Sequence, residues 1–265
     1  MCSLPDERAG RETAATITLS QPLGGGYHRL RFAPDTPART VPGQFVMVRV
    51  RDGVAPLLRR PFSIHMVERG EVELLYREVG EGTAIMTGLK VGDIIDVLQP
   101  LGRGFGEGGE VPLLVGGGIG VAPLLYLAHR YLAAGKAPKL LLGGRTERDI
   151  LCHDQFSCLA IPTKYATEDG SLGDTGLVTA LLEDEFKAAE KLGALSVHAC
   201  GPVPMLAAVA RLAEGAGVAC EVSLEAHMAC GLGACLGCVV KPGDGGYVRV
   251  CADGPVFDSK EILWP

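Results

Sequence analysis

A run of cysteines near the C-terminal end constrains this chain more than any other feature. It reads Met228-Ala-Cys-Gly-Leu-Gly-Ala-Cys-Leu-Gly-Cys238, and Cys251 follows after a gap of twelve residues. Two irons and two bridging sulfides need four thiolates. A C-x4-C-x2-C loop answered by one returning cysteine is the spacing of a plant-type [2Fe–2S] centre. Gly231, Gly233 and Gly237 stand between the thiols. A loop that turns its N–H groups toward sulfur needs residues tolerant of positive φ, which glycine adopts without a Cβ penalty. Cys230, Cys235, Cys238 and Cys251 are therefore the candidate cluster ligands. Structural zinc is the competing reading, but zinc usually takes two C-x2-C knuckles, and here Cys251 stands alone. A disulfide fits less well, since nothing suggests an oxidising compartment.

With 265 residues, 47% of them hydrophobic, the chain has room for two domains or one large one. A net charge of −6 leaves no electrostatic footprint for nucleic acid or an anionic membrane. The first twelve residues are polar, so no secretory signal is expected, and no apolar run reaches the roughly 18 residues of a membrane span. Nine cysteines without a signal point to the cytoplasm and to metal or redox chemistry. Cys2, Cys152, Cys158, Cys200 and Cys220 are expected to be buried small residues or inert thiols, with Cys200 set apart below. His28, His65, His129, His153, His198 and His227 show no ligand spacing and are expected on surfaces or helix faces.

Residues 13–108 read as short strands between turns. Runs at 16–20, 27–32, 42–50, 62–67, 72–77 and 91–98 predict six strands, and short spacing favours a closed antiparallel barrel. A short helix is predicted over 82–89. Two loops carry chemistry. Arg59-Arg-Pro-Phe-Ser-Ile64 sets two cations and a hydroxyl beside an aromatic ring. Tyr76-Arg-Glu-Val-Gly-Glu-Gly-Thr83 sets an arginine and glycines before a helix start, a place for a phosphate or pyrophosphate. Arg60 can add a bidentate, charge-assisted contact.

At Val111 the period changes. Val111-Pro-Leu-Leu-Val115 enters Gly116-Gly-Gly-Ile-Gly-Val-Ala-Pro123, then a helical pattern over 124–133. Strand, glycine loop and helix begin a doubly wound sheet, and Pro123 suits a first helical turn. Strands are predicted at 139–145, 162–167, 195–200 and 219–224, with helical segments at 154–159, 178–192 and 205–213. This alternation implies a parallel sheet with its ligand at the strand C-terminal ends. Near 143–149, Arg145 and Arg148 favour NADP while Glu147 and Asp149 favour NAD; the residues alone leave both open.

Taken together, these landmarks resemble the ferredoxin–NADP reductase superfamily. Its Arg-x-Tyr-Ser strand reads Arg60-Pro-Phe-Ser63, with Phe62 keeping the ring and losing the hydroxyl. Its glycine loop is matched over 116–123, and its Cys-Gly-Pro turn, which lies by the nicotinamide in relatives, is Cys200-Gly-Pro202 followed by Met205. The resemblance implies FAD contacts at Arg60, Pro61, Phe62, Ser63, Tyr76, Arg77, Gly82 and Thr83. It implies NAD contacts at Gly116, Gly118, Gly120, Cys200, Gly201 and Pro202.

Nicotinamide exchanges two electrons as hydride and a [2Fe–2S] cluster one at a time, so a flavin must stand between them. Over residues 13–264 the chain resembles the electron-transfer subunits of the dihydroorotate dehydrogenase B family, most closely at 228–239 and in Val250-Cys-Ala-Asp-Gly-Pro-Val-Phe257. That resemblance implies a separate FMN-containing catalytic subunit that oxidises dihydroorotate in pyrimidine (UMP) biosynthesis. Electrons would pass from FMN through the cluster and FAD to NAD, in a cytoplasmic heterotetramer of two plus two subunits, with neither nucleic acid nor membrane as partner. A flavin and iron–sulfur subunit of another complex, a ferredoxin:NAD(P) oxidoreductase or a hydrogenase, is the alternative, and a zinc-stapled nucleotide-binding module is one of a different class.

The expected architecture is α+β and multidomain. An antiparallel β-barrel flavin domain covers 1–108, a doubly wound α/β nucleotide domain 109–224, and a small C-terminal cluster lobe 225–265. Val239, Val240 and the Pro255-Val-Phe257 run are candidates for the outer face of that lobe, with core packing as the favoured role of each.

Overall fold

A computed structural model describes residues 10–53, 55–189, 191–243 and 245–265. The polar segment 1–9, with Cys2, lies outside the described residues. The first six strands are β1 (Arg11–Gly24), β2 (Tyr27–Pro34), β3 (Phe45–Arg49), β4 (Arg60–Glu68), β5 (Glu71–Arg77) and β6 (Ile94–Leu101). They close a barrel in the order β1-β2-β5-β4-β3-β6, every pair antiparallel. Ile17, Leu30, Phe32, Val46, Val48, Ile64, Leu74 and Val97 are inaccessible to solvent, and so is Met47, which alternation along β3 turns to the opposite face from Val46 and Val48, toward Gly231. β1 is far longer than the run 16–20 read from the sequence. Its polar ends have weak strand propensity, but β2 and β6 pair with it on its two sides, and ladder bonds override propensity. Between β5 and β6 lies α1 (Glu81–Thr87).

The remaining elements are β7 (Val111–Gly117), α2 (Leu124–Ala133), β8 (Lys139–Gly144), α3 (His153–Ser157), β9 (Thr163–Thr167), β10 (Asp174–Thr175), α4 (Val178–Ala188), β11 (Leu195–Cys200), α5 (Val203–Ala216), β12 (Ala219–Ser223), β13 (Val239–Val240), β14 (Val248–Arg249) and β15 (Val256–Asp258). The sheet runs β10-β9-β8-β7-β11-β12-β15. It is parallel except for β15, which pairs antiparallel with β12. The final strand expected at 219–224 is thus not the sheet edge. Strand order reverses between β7 and β11, the switch point at which open α/β sheets bind ligands. Glu185, buried on α4, accepts from Lys139 at 2.6 Å and is paired with Lys164 at 2.7 Å, which fastens the helix to β8 and β9. Among the described residues no helix is long and apolar enough to cross a membrane.

Two compact units emerge. One holds the residues up to Gly104 with Glu225–Val240 and Val248–Pro255; the other holds Phe105–Leu224 with Lys241–Tyr247 and Val256–Pro265. The leading segment of the first unit ends at Gly104. The residues after Leu224 are shared between the units, because β15 bonds to β12 while the cysteine loop packs with the barrel residues.

Two histidines depart from the surface role expected of them. His65 and His198 are buried, and each meets an acid: Glu73 at 3.9 Å and Glu221 at 3.0 Å. His198 also contacts Ser196 and Tyr131, at 3.0 and 3.1 Å, and Glu221 accepts the Gly106 N–H at 2.9 Å. Burial opposes ionisation of Glu221, but His198 and that N–H outweigh it and hold the carboxyl below its ordinary 4.5. Glu185 is likewise lowered by its two lysines against the cost of burial. A depressed carboxylate stabilises the fold above its unfolded pKa and loses that contribution as pH falls through the folded value. The melting temperature is therefore expected to fall progressively below about pH 4.5, and Glu221→Gln to flatten part of that decline. Thermal melts of both proteins between pH 7 and 3 test this; identical acid limbs would show that Glu221 carries no linkage.

Candidate functional site

The four cysteines of the loop are brought together. The Cys251 N–H points at Cys238 Sγ (3.4 Å), Gly233 N–H at Cys251 Sγ (3.2 Å), Leu232 N–H at Cys230 Sγ (3.4 Å) and Gly237 N–H at Cys235 Sγ (3.5 Å). Gly231 and Gly233 have φ of 71° and 78°, the left-handed conformation expected for them. Both also need the missing Cβ: one on Gly231 would lie 2.8 Å from Met47 Cγ, and one on Gly233 2.8 Å from Ala252 Cβ. Burial resists ionisation of Cys230, yet the N–H groups of Leu232, Cys235 and Ala234 and the Cys235 thiol bring it down to about 6. Cys251, buried beside Cys238, is pushed up. N–H groups aimed at sulfur favour thiolates, the form that binds iron. Among the described residues no three His, Cys, Asp or Glu side chains group around a single ion. A two-iron cluster takes two thiols per iron, so its ligands need not converge on one point.

On the barrel, the two arginines of the 59–64 loop part company. Arg59 is held by Asp96, at 3.1 Å, and by Glu12, so it staples β4 to β6 and β1. Arg60 donates to the Leu58 carbonyl at 2.5 Å and lies against Gly82, where a Cβ would come within 2.6 Å of its Nε. Arg60 and Gly82 thus share one locus. Thr83 opens α1 by accepting the Val79 and Gly80 N–H groups at 2.9 and 3.1 Å. Phe62 meets Tyr76 edge-on at 5.7 Å, Tyr76 stacks on His28 at 5.3 Å, and Arg77 covers Tyr27 at 5.3 Å. Ser63 and Pro61 lie on β4 opposite Phe45 and Met47. His28 and Tyr27 were not singled out in the sequence; only their places on β2 opposite Tyr76 and Arg77 reveal them.

At the sheet reversal the glycine loop and the Cys-Gly-Pro turn touch. Gly116 and Cys200 are register partners on β7 and β11. A Cβ on Gly120 would fall 2.3 Å from the Cys200 carbonyl oxygen, and one on Gly117 2.6 Å from Met205 Sδ. Gly118, with φ 54°, faces open space and leaves room for a ligand's phosphates. Pro202 precedes α5, and Cys200 is buried. At the ends of β8 and β9, Asp149 accepts the Thr146 N–H at 3.3 Å and lies 3.9 Å from Arg145, while Glu147 N–H donates to Ser171 at 2.8 Å.

Of the two roles open to the run 255–257, the favoured one, core packing, is the one seen: Pro255, Val256 and Phe257 are buried, and β15 is a sheet strand. Cys158 is exposed, not buried. Cys220 is buried, and burial raises its thiol to about 12, as an inert cysteine requires. Leu232 and Leu236, which lie between the cysteines of the loop, are 55% and 60% exposed, and Tyr247 and Leu263 further along the segment are exposed as well.

Residues 225–263 match the iron-sulfur cluster binding domain of dihydroorotate dehydrogenase B, and residues 114–211 match the oxidoreductase NAD-binding domain. With the six-stranded barrel, these define an oxidoreductase that moves electrons between NAD, a flavin and an iron–sulfur centre. The chain is 42% identical over 240 residues to the electron transfer subunit of dihydroorotate dehydrogenase B (NAD(+)) from Desulforamulus reducens, covering 88% of this chain and 90% of that one. It is 42% identical over 229 residues to the same subunit from Caldanaerobacter subterraneus subsp. tengcongensis, covering 84% and 87%. The chain belongs to this family of dihydroorotate dehydrogenase B electron transfer subunits. Among solved structures, an NADH-dependent reduced ferredoxin-NADP oxidoreductase superposes with a TM-score of 0.83 at 28% identity, over 94% of this chain and 90% of that one. An Amycolatopsis cytochrome P450 reductase shares the fold, with a TM-score of 0.66 at 23% identity over 78% and 66% of the two chains.

Proposed function

We propose that the protein accepts electrons from an FMN-containing dihydroorotate dehydrogenase catalytic subunit and delivers them to NAD+, in a cytoplasmic two-plus-two heterotetramer serving pyrimidine biosynthesis. The carrying observation is a thiol loop with N–H groups directed at sulfur, in a chain that also holds a glycine loop at a sheet switch point. Bound FAD would supply the change from single electrons to hydride. Cys230, Cys235, Cys238 and Cys251 would hold the cluster. Arg60, Gly82 and Thr83 would hold the FAD pyrophosphate, with Pro61, Phe62, Ser63, Tyr76 and Arg77 along the flavin. Gly116, Gly118 and Gly120 would admit the NAD phosphates, and Cys200, Gly201 and Pro202 would border the nicotinamide. The cluster segment 225–265 acts as one functional domain although its residues belong to two compact units.

The test is reconstitution. Mixing the chain with the catalytic subunit should give dihydroorotate-dependent NAD+ reduction and a complex whose mass fits two of each. Absence of both with a fully loaded chain would overturn the reading.

In this proposal the exposed leucines form part of the surface that meets the partner, a reading their exposure supports. Leu236 keeps φ 57°, a left-handed conformation that costs a residue with a Cβ about 1 kcal/mol, and presents its side chain to solvent beside exposed Cys235. Leu236→Gly should leave the cluster intact and the fold equally or more stable. It should weaken binding of the catalytic subunit roughly tenfold, the loss of one apolar anchor of about 1.4 kcal/mol. Unchanged affinity in a titration would remove Leu236 from the interface.

A further inference from the structure

The turn that carries Cys251 is closed by an ion pair that binds no cofactor in the reading above. Arg249 and Asp253 flank the cysteine symmetrically, two residues to either side. The guanidinium donates from Nε and Nη2 to the two Asp253 carboxylate oxygens, at 2.9 and 2.8 Å, the bidentate fork that fixes both side chains. The same carboxylate accepts the Arg249 N–H at 2.8 Å. The Arg249 carbonyl accepts the N–H groups of Ala252 and Asp253 at 3.1 and 2.8 Å. The remaining guanidinium nitrogen, Nη1, reaches the Gly233 carbonyl at 3.3 Å. Gly233 is the residue whose N–H points at Cys251 Sγ. One arginine thus links the returning segment to the loop that holds the other three cysteines.

Charge adds a second role. Arg249 carries a positive charge at the cysteine loop: its Nη1 meets the carbonyl of Gly233, the residue whose N–H donates to Cys251 Sγ, while its Nε and Nη2 hold the negative charge of Asp253. A fixed positive charge near a cluster favours its reduced form and a negative one its oxidised form, and net charge is among the determinants of cluster potential. Here the two signs stand side by side and offset each other.

We propose that Arg249 and Asp253 are positioning residues that form a charge-compensated clamp, fixing Cys251 and poising the reduction potential of the cluster. This rests on Cys251 being a cluster ligand. The two roles predict different outcomes. Asp253→Asn keeps the side-chain size and uncovers the arginine, so the potential should rise. Arg249→Gln uncovers the aspartate, so the potential should fall. The double variant should return toward the native value. Arg249→Lys keeps the charge but loses the fork, so the potential should stay near native while iron is lost faster to a chelator.

The experiment is an EPR-monitored redox titration of the full, FAD-loaded chain, with iron and sulfide counted per chain. Opposite shifts of the single variants, cancelling in the double, support the clamp. Shifts of the same sign, or none at full iron content, overturn it. If a glutamine or asparagine variant fails to hold iron, an unshifted potential and normal chelator rate in Arg249→Lys support charge poising but overturn the geometric clamp; faster loss supports both. A native protein with no cluster signal would instead overturn the ligand assignment.

Discussion

A Cys235→Ala protein should fold, bind FAD and pass hydride from NADH to the flavin, yet lose the cluster and all electron exchange with its partner. Cys235 suits this test because it is exposed. Removing an exposed side chain usually changes stability by no more than about 0.5 kcal/mol, so loss of the cluster would not reflect misfolding. Alanine is preferred to serine because it leaves no oxygen to replace the thiolate. The expected result is a flavin spectrum without cluster absorption, near-native NADH reduction of FAD, and dihydroorotate-dependent NAD+ reduction down by a factor of about 1,000 or more, equal to about 4 kcal/mol. Full iron content in this variant would mean that Cys235 is not a ligand.

The second large effect is expected at Gly120. A methyl group there would meet the Cys200 carbonyl oxygen at 2.3 Å and the Gly201 Cα at 2.6 Å. These atoms are backbone and cannot rotate away, so the glycine loop or the Cys-Gly-Pro turn must move. Displacing a binding loop by about 1 Å can cost roughly 100-fold in rate, and Gly120→Ala is expected to lower the NADH-to-FAD rate at least that far while leaving flavin and cluster spectra intact. Gly118→Ala is the contrasting case, because nothing lies within 4 Å of the added carbon and only the left-handed φ is strained. Stopped-flow reduction of FAD by NADH measures both. A native rate in Gly120→Ala would show that this close packing does not shape the nucleotide site.

The landmarks that could be read from the sequence are those set by local chemistry. The cysteine spacing, the glycines around it, the apolar strand entering 116–120 and the helix over 124–133 each follow from a few neighbouring residues. The structure places β7, α2 and β11 close to where periodicity puts them. What stayed hidden depends on partners distant in the chain. His198 is silent until Glu221, Ser196 and Tyr131 surround it. Arg59 and Arg60 are adjacent and alike, and only Asp96 and Glu12 assign one to structure while Gly82 leaves the other beside the helix start. The run 255–257 is apolar in either of its possible roles, and only its pairing with β12 decides between them.

That pairing also has a consequence for how the chain matures. β15 follows the cysteine loop in the sequence but completes the sheet that begins at Val111. Until it emerges from the ribosome, β12 offers an unpaired edge, the kind of surface on which nascent chains misassociate. Release of the cysteine loop and protection of that edge therefore come close together in time. A chain cut between Cys251 and Val256 would carry all four thiols yet show chaperones the open edge of β12.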